Sequence, residues 1–130
     1  MHKIGIVFGI AMLGLGGCQS TGGAVFNVVS GSSAVVDWYY DVDRSCKSNG
    51  NPTVTVLSGP SNGRISTRTA ARTPSFQPPN PRESCNTKRI PATEVVYTPA
   101  KDFTGQDSVT YRVTFPTGSE RLYSKTISVK

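Results

Sequence analysis

Histidine occurs once in this 130-residue chain, at position 2. Everything downstream lacks an imidazole, which excludes Ser–His and Cys–His nucleophile pairs and the usual histidine ligands of zinc and copper. Cysteine is scarce as well, with only Cys18, Cys46 and Cys85. Long apolar runs are missing: the one continuous stretch, Ile4 to Leu15, has about a dozen residues, too few to cross a bilayer as a helix. No segment sustains a helical period, whereas Gly, Pro, Ser and Thr abound, which points away from a helical domain. Acidic residues are outnumbered, 8 Asp and Glu against 14 Lys and Arg, and the formal net charge of +6 favours anionic partners.

What is present begins with an address. Met1-His2-Lys3 leads into the apolar run, which ends in Leu15-Gly16-Gly17-Cys18. A charged start, a short apolar core and a small-residue cleavage site are the parts of a signal peptide. The four-residue ending resembles the lipobox of bacterial lipoprotein precursors, with Gly16 in place of the more usual Ala or Ser. The resemblance implies that residues 1–17 are removed, that Cys18 carries a diacylglyceryl group and that its new amino group is acylated. Two or three acyl chains hold stably, since each buried methylene contributes about 0.8 kcal/mol. By similarity to the sorting rule of enteric bacteria, Gln19 directs the lipoprotein to the outer membrane. Residues 18–24 then form a short tether spanning at most about 25 Å, so the domain works close to a membrane. About 110 residues remain, the size of one domain with one core.

This resemblance narrows the chemistry further. His2 leaves with the signal, Cys18 is consumed by lipid, and in an oxidising compartment Cys46 and Cys85 are expected to form one disulfide. The bridge would close a loop of about 40 residues and contribute on the order of 4 kcal/mol. No free thiolate remains. Asp41 and Asp43 stand in no recognisable motif and read as a solvated strand end. We therefore expect no enzyme, no cofactor and no metal.

The rest of the chain alternates with period two. Val36, Trp38, Tyr40 and Val42 are predicted to face the core, with Asp37, Tyr39 and Asp41 on the wet side. Val54 and Val56 form a second short alternation, and Gly59-Pro60-Ser61-Asn62-Gly63 joins it to a strand at Arg64-Ile65-Ser66. Val109, Tyr111, Val113 and Phe115 line one face of a later strand. Pro116-Thr117-Gly118 then turns the chain into a last one, with Tyr123, Lys125, Ile127 and Val129 on one side and Leu122 opposite. Segment 67–92 carries five prolines and few apolar residues and reads as a long loop or irregular edge, part of which can pair as an edge strand. The pattern predicts an all-β fold, an immunoglobulin-like antiparallel β-sandwich of about seven strands over 25–130, with one disulfide.

The stretch from Tyr97-Thr98-Pro99 through Phe103-Thr104-Gly105-Gln106-Asp107 to Tyr111 resembles bacterial immunoglobulin-like and cadherin-like repeats, as do the upstream turn Pro60-Ser61-Asn62-Gly63 and the closing strand Thr126-Ile127-Ser128-Val129. The motif's physics is structural. Pro99 ends a strand, Phe103 plugs one end of the core, Gly105 permits a turn with positive φ, and the Asp107 carboxylate accepts backbone N–H bonds. Asp102 and Asp107 alone do not reproduce the acidic clusters of cadherin calcium sites.

Function is read from the surface. Arg64, Arg68, Arg72, Arg82, Lys88 and Arg89 fall within 26 residues that hold one acid, Glu83. Arg64, Arg68 and Arg72 share one face of a strand or helix. Candidate partners are anionic lipid headgroups, an acidic envelope polysaccharide or an acidic patch on an envelope protein, and not nucleic acid. Tyr39, predicted to point outward, is a candidate stacking surface. The expected role is a non-enzymatic binding or structural module of the cell envelope. The alternative is an inhibitor of a host or competitor hydrolase, since Asn51-Pro52-Thr53 is similar to one loop motif of immunoglobulin-like cysteine-protease inhibitors.

Overall fold

A computed structural model of the chain describes residues 24–130. The signal segment 1–17, the lipidation site Cys18 and the tether up to residue 23 lie outside the described residues. Seven strands follow: β1 (Val25–Val28), β2 (Ala34–Tyr39), β3 (Thr53–Ser58), β4 (Gly63–Arg72), β5 (Ile90–Pro99), β6 (Gly105–Thr114) and β7 (Glu120–Val129). One sheet has the order β1-β7-β6-β3 and the other β2-β5-β4. Neighbouring strands are antiparallel except β1 and β7, which run parallel. The result is an all-β, immunoglobulin-like sandwich of four plus three strands.

Period-two patterning builds the core. Val109, Tyr111 and Val113 of β6 and Ile127 and Val129 of β7 are buried against Val36 and Tyr39 of β2 and Val95 and Tyr97 of β5. Leu122 falls on the other face of β7 and is 66% exposed. Lys125 is the charged residue on the inward side. It is reconciled with burial by an ion pair, its Nζ donating to Asp37 Oδ2 at 2.5 Å.

Strand β2 departs from strict alternation. Val36 and Tyr39 are the buried residues, at 1% and 7% exposure, whereas Trp38 and Tyr40 are only half-buried. Pairing with β5 shifts between Val35 and Asp37, so the strand carries one extra residue there. Because side chains alternate strictly, one inserted residue exchanges the two faces beyond it. Tyr39 therefore points inward, correcting the expectation of an exposed aromatic, and Trp38 and Tyr40 leave the core for the outer face.

Segment 67–92 is more ordered than its composition predicts. Strand β4 runs on to Arg72 and pairs with β5 over ten residues, from Gly63↔Pro99 to Arg72↔Ile90. Only residues 73–89 lie outside strands, and they include a short 3₁₀ turn at Glu83–Thr87. As an edge strand with most positions exposed, β4 needs few apolar residues, which is why composition hid it. Strands β3 and β4 belong to different sheets, so the turn between them crosses the sandwich instead of closing a hairpin. Val56 is 41% exposed because β3 is likewise an edge and slips register between Val56 and Ser58.

The crossing turn is tied down from below. Asp107 is 6% exposed and accepts from the backbone N–H groups of Ser61 at 2.8 Å, Asn62 at 2.9 Å and Ser108 at 2.9 Å. The Tyr97 hydroxyl donates to it at 2.7 Å. A Cβ on Gly63 would lie 2.6 Å from the Tyr97 ring, so that strand start admits only glycine. Phe103 packs against the core edge, and Gly105 has φ 130°.

Candidate functional site

The outer face of the β2-β5-β4 sheet gathers most of the candidate residues. Arg64, Arg68 and Arg72 occupy every fourth position of β4 opposite Thr98, Glu94 and Ile90, so the predicted shared face exists. Two of the three are not free. Arg68 Nε donates to Glu94 Oε1 at 2.6 Å and Arg72 Nε donates to Glu94 Oε2 at 2.7 Å. Glu94 comes from the central strand, and its side chain is 5% exposed because the two arginines lie over it. The Arg68 hydrogen bond holds its carboxyl below the usual range, against the opposing effect of burial and with the further help of Arg72. Arg64 remains exposed and unpaired among the described residues.

An aromatic row adjoins the arginines. The Arg72 guanidinium sits 5.1 Å from the Trp38 ring centroid. Trp38 lies 5.3 Å from Tyr40, and Tyr40 meets Phe76 at 5.5 Å with the rings at 89°. Beyond them, Tyr40, Asp41, Val42, Phe76 and Arg82 line a cleft of about 190 Å³. Burial pushes the Tyr40 hydroxyl upward in pKa, opposed by a hydrogen bond to the Ser75 backbone. Arg82 donates through Nε to the Val42 carbonyl at 2.8 Å. Lys88 and Arg89 are exposed on the same loop, and Arg89 Nη2 donates to the Ala71 carbonyl at 3.1 Å beside β4.

Loop 73–89 holds its shape through three fastenings. Cys85 is fully buried and bonded to Cys46, with Cα atoms 5.4 Å apart. Asn86 clamps Phe76 at both backbone groups, accepting at 2.8 Å and donating at 2.9 Å. Asn80 Oδ1 accepts from the Arg82 backbone N–H at 2.7 Å.

Most of the carboxylates serve internal geometry. Asp41 accepts from Asn49 Nδ2 at 3.0 Å and from Thr117 at 3.1 Å (N) and 2.8 Å (Oγ1). Burial works to raise its carboxyl, but those bonds and the nearby Arg82 charge outweigh it and leave it below the usual range. Asp43 caps a turn through the backbone N–H groups of Ser45 and Lys47. Asp37, Glu94 and Asp107 are spent as described. Pro52 is buried, and its carbonyl accepts from Thr93 Oγ1 at 2.7 Å, so the Asn51-Pro52-Thr53 motif is anchored in the sandwich at its middle residue.

Tyr39 belongs to the core network and not to this face. Its hydroxyl donates to Asp37 Oδ2 at 3.0 Å and lies 2.7 Å from the Tyr111 hydroxyl, which then donates to it. Burial pushes both phenols upward, Tyr111 to about 12. Tyr39→Phe strands the buried Tyr111 O–H and should cost about 2 kcal/mol, whereas Tyr111→Phe, which removes the donor itself, should cost about 1 kcal/mol. Urea midpoints of the two variants check this order, and equal midpoints would contradict the donor assignment.

Trp38, Tyr40 and Phe76 are the residues that sequence reasoning did not place on this face. The aromatic cluster at 38–40 was visible, but the bulge that turns two of its members outward was not, and Phe76 sits in a segment without periodicity. No known family model, curated protein or solved structure matches the chain.

Proposed function

We propose that this protein is a non-enzymatic, lipid-anchored module of the bacterial cell envelope that binds an anionic envelope component on the outer face of the β2-β5-β4 sheet. Anchoring rests on the Leu15-Gly16-Gly17-Cys18 motif, and Gln19 favours the outer membrane. One observation carries the binding reading. Asp37 and Glu94 are ion-paired and Asp41, Asp43 and Asp107 are hydrogen-bonded within the domain, and against the exposed acids Glu83, Asp102 and Glu120 stand the more numerous exposed cations, with Arg64 and Lys88 unpaired among the described residues. The basic excess is therefore outward-facing, and long-range attraction to anions follows from it.

The test is co-purification of the full-length lipidated protein from detergent-solubilised membranes at low and high salt. An Arg64→Glu/Lys88→Glu variant is the comparison. Arg68 and Arg72 are left alone, because replacing them would leave the covered Glu94 carboxylate without partners. A component retained at low salt, released at high salt and lost in the variant is the expected result. Retention that neither salt nor the variant changes, or none at all, would refute the reading.

A further inference from the structure

We propose that the Tyr40–Phe76–Arg82 cleft is a subsite for one carboxylated pyranose of an acidic polysaccharide. The proposal rests on the reading above and names the ligand class for that face.

Arg82 is the cation that lines the cleft. Its Nε bond to the Val42 carbonyl and the Asn80 bond to its backbone fix where the guanidinium stands. Yet its terminal nitrogens have no ion-pair partner among the described residues. Asp41 lines the same cleft, but its oxygens are occupied by Asn49 and Thr117 instead of closing on Arg82. A guanidinium pinned at one edge presents its planar fork of donors, which matches a carboxylate in two-point geometry.

The walls select the rest of the ligand. Tyr40 and Phe76 stand perpendicular, so they form a corner instead of a parallel-walled slot for a flat aromatic group. A saturated sugar ring packs one apolar face into such a corner and keeps its hydroxyls toward water and Asp41. The cleft, about 190 Å³, is smaller than pockets for drug-sized ligands and suits a single ring. Binding a polymer then requires further contacts. The row continues through Tyr40 to Trp38, whose ring lies under the Arg72 guanidinium that Glu94 holds in place. Weak contacts with successive sugars add through effective concentration.

The site is also preformed. Asn86 and the Cys46–Cys85 bridge hold Phe76 and Cys85 in place before any ligand arrives, which reduces the ordering cost of binding.

Trp38 is the sole tryptophan and reports on the row directly. Full-length protein in detergent micelles is titrated with polygalacturonate, dextran sulfate and uncharged dextran while its fluorescence is followed. Polygalacturonate should bind most tightly, and Arg82→Lys, which keeps the charge but loses the fork, should weaken it about tenfold. Phe76→Ala should weaken it to a similar degree with the charge untouched, and near-ultraviolet circular dichroism of both variants checks that the fold persists. Two results would overturn the inference while leaving the broader reading intact: tighter binding of dextran sulfate, or affinity that neither variant changes but Arg64→Glu/Lys88→Glu lowers. Failure of every anionic polymer to bind, together with no salt-sensitive partner in the co-purification, would overturn both.

Discussion

Replacing Cys46 and Cys85 together by serine is expected to lower stability by about 4 kcal/mol, because the bridge closes a long loop in the unfolded chain. The two cysteines are 39 residues apart. For a domain near 100 residues this corresponds to a fall in Tm of roughly 15 °C or more. The damage should be uneven. Cys85 packs with Val42 and Ile90, and with Tyr40 and Phe76 at their edge, in a cluster separate from the main core of the sandwich. Without the bridge the sandwich should persist, while loop 73–89 loosens and the cleft at Phe76 and Arg82 loses its shape. Urea unfolding with and without reductant measures the first effect. Limited trypsin digestion measures the second, with cuts after Arg82, Lys88 and Arg89 preceding all others in the reduced protein. Equal protection of the loop before and after reduction would show that the Asn86 and Asn80 bonds suffice alone.

Asp107→Ala is expected to cost about 3 kcal/mol, the loss of several charge-assisted bonds at one carboxylate. The cost stays below a simple sum because Ser61, Asn62 and Ser108 are exposed and their N–H groups can turn to water. The buried Tyr97 hydroxyl also keeps a weaker partner, the Asn62 carbonyl at 3.3 Å. Asp107→Asn tests the chemistry against the shape. Both oxygens accept in the wild type, Oδ1 from Ser61 and Ser108 and Oδ2 from Asn62 and Tyr97. An amide whose nitrogen replaces Oδ2 opposes the Asn62 N–H but keeps the Ser61 and Ser108 bonds and can donate to the Tyr97 hydroxyl, so the isosteric variant should lose clearly less than alanine.

The same carboxylate carries a pH signature. Burial pushes its pKa up, but the bonds from Tyr97, Ser61, Asn62 and Ser108 outweigh that and hold it below the ordinary range. A depressed folded pKa contributes stability that is complete above the unfolded value, near 4, and is lost as pH falls through the folded value. Wild type should therefore weaken between pH 7 and pH 3 by more than Asp107→Asn does. Glu94, Asp41 and Asp43 are shifted in the same direction and supply the acid sensitivity that the variant retains. Urea midpoints at the two pH values decide the matter, and equal losses in both proteins would exclude Asp107 as a contributor.

How much of this was legible from the chain depends on the range of the interaction involved. Strands β6 and β7 were readable residue by residue, because Val109, Tyr111 and Val113 and then Ile127 and Val129 alternate without interruption and the sandwich honours that parity. The pairing of Cys46 with Cys85 followed from there being no other partner once Cys18 is set aside. The acceptor role of Asp107 followed from the order Tyr97, Phe103, Gly105, Asp107. By contrast, the length of β4 beyond Ser66 was hidden by its exposure, and the arginines on it looked equivalent. Nothing in their spacing says that Glu94, 22 residues beyond Arg72, would engage two of the three.

Composition and local pattern by themselves determined the fold class and the basic balance, since hydrophobic alternation and charge are properties of the chain before it folds, while the expected bridge also drew on the lipobox resemblance that set Cys18 aside. Only the tertiary structure decided which face each aromatic of 38–40 takes and which arginines stay free. Both depend on register between strands distant in sequence. A one-residue bulge beside β5 exchanges the two faces of β2, and a carboxylate from the central strand selects its partners on the edge.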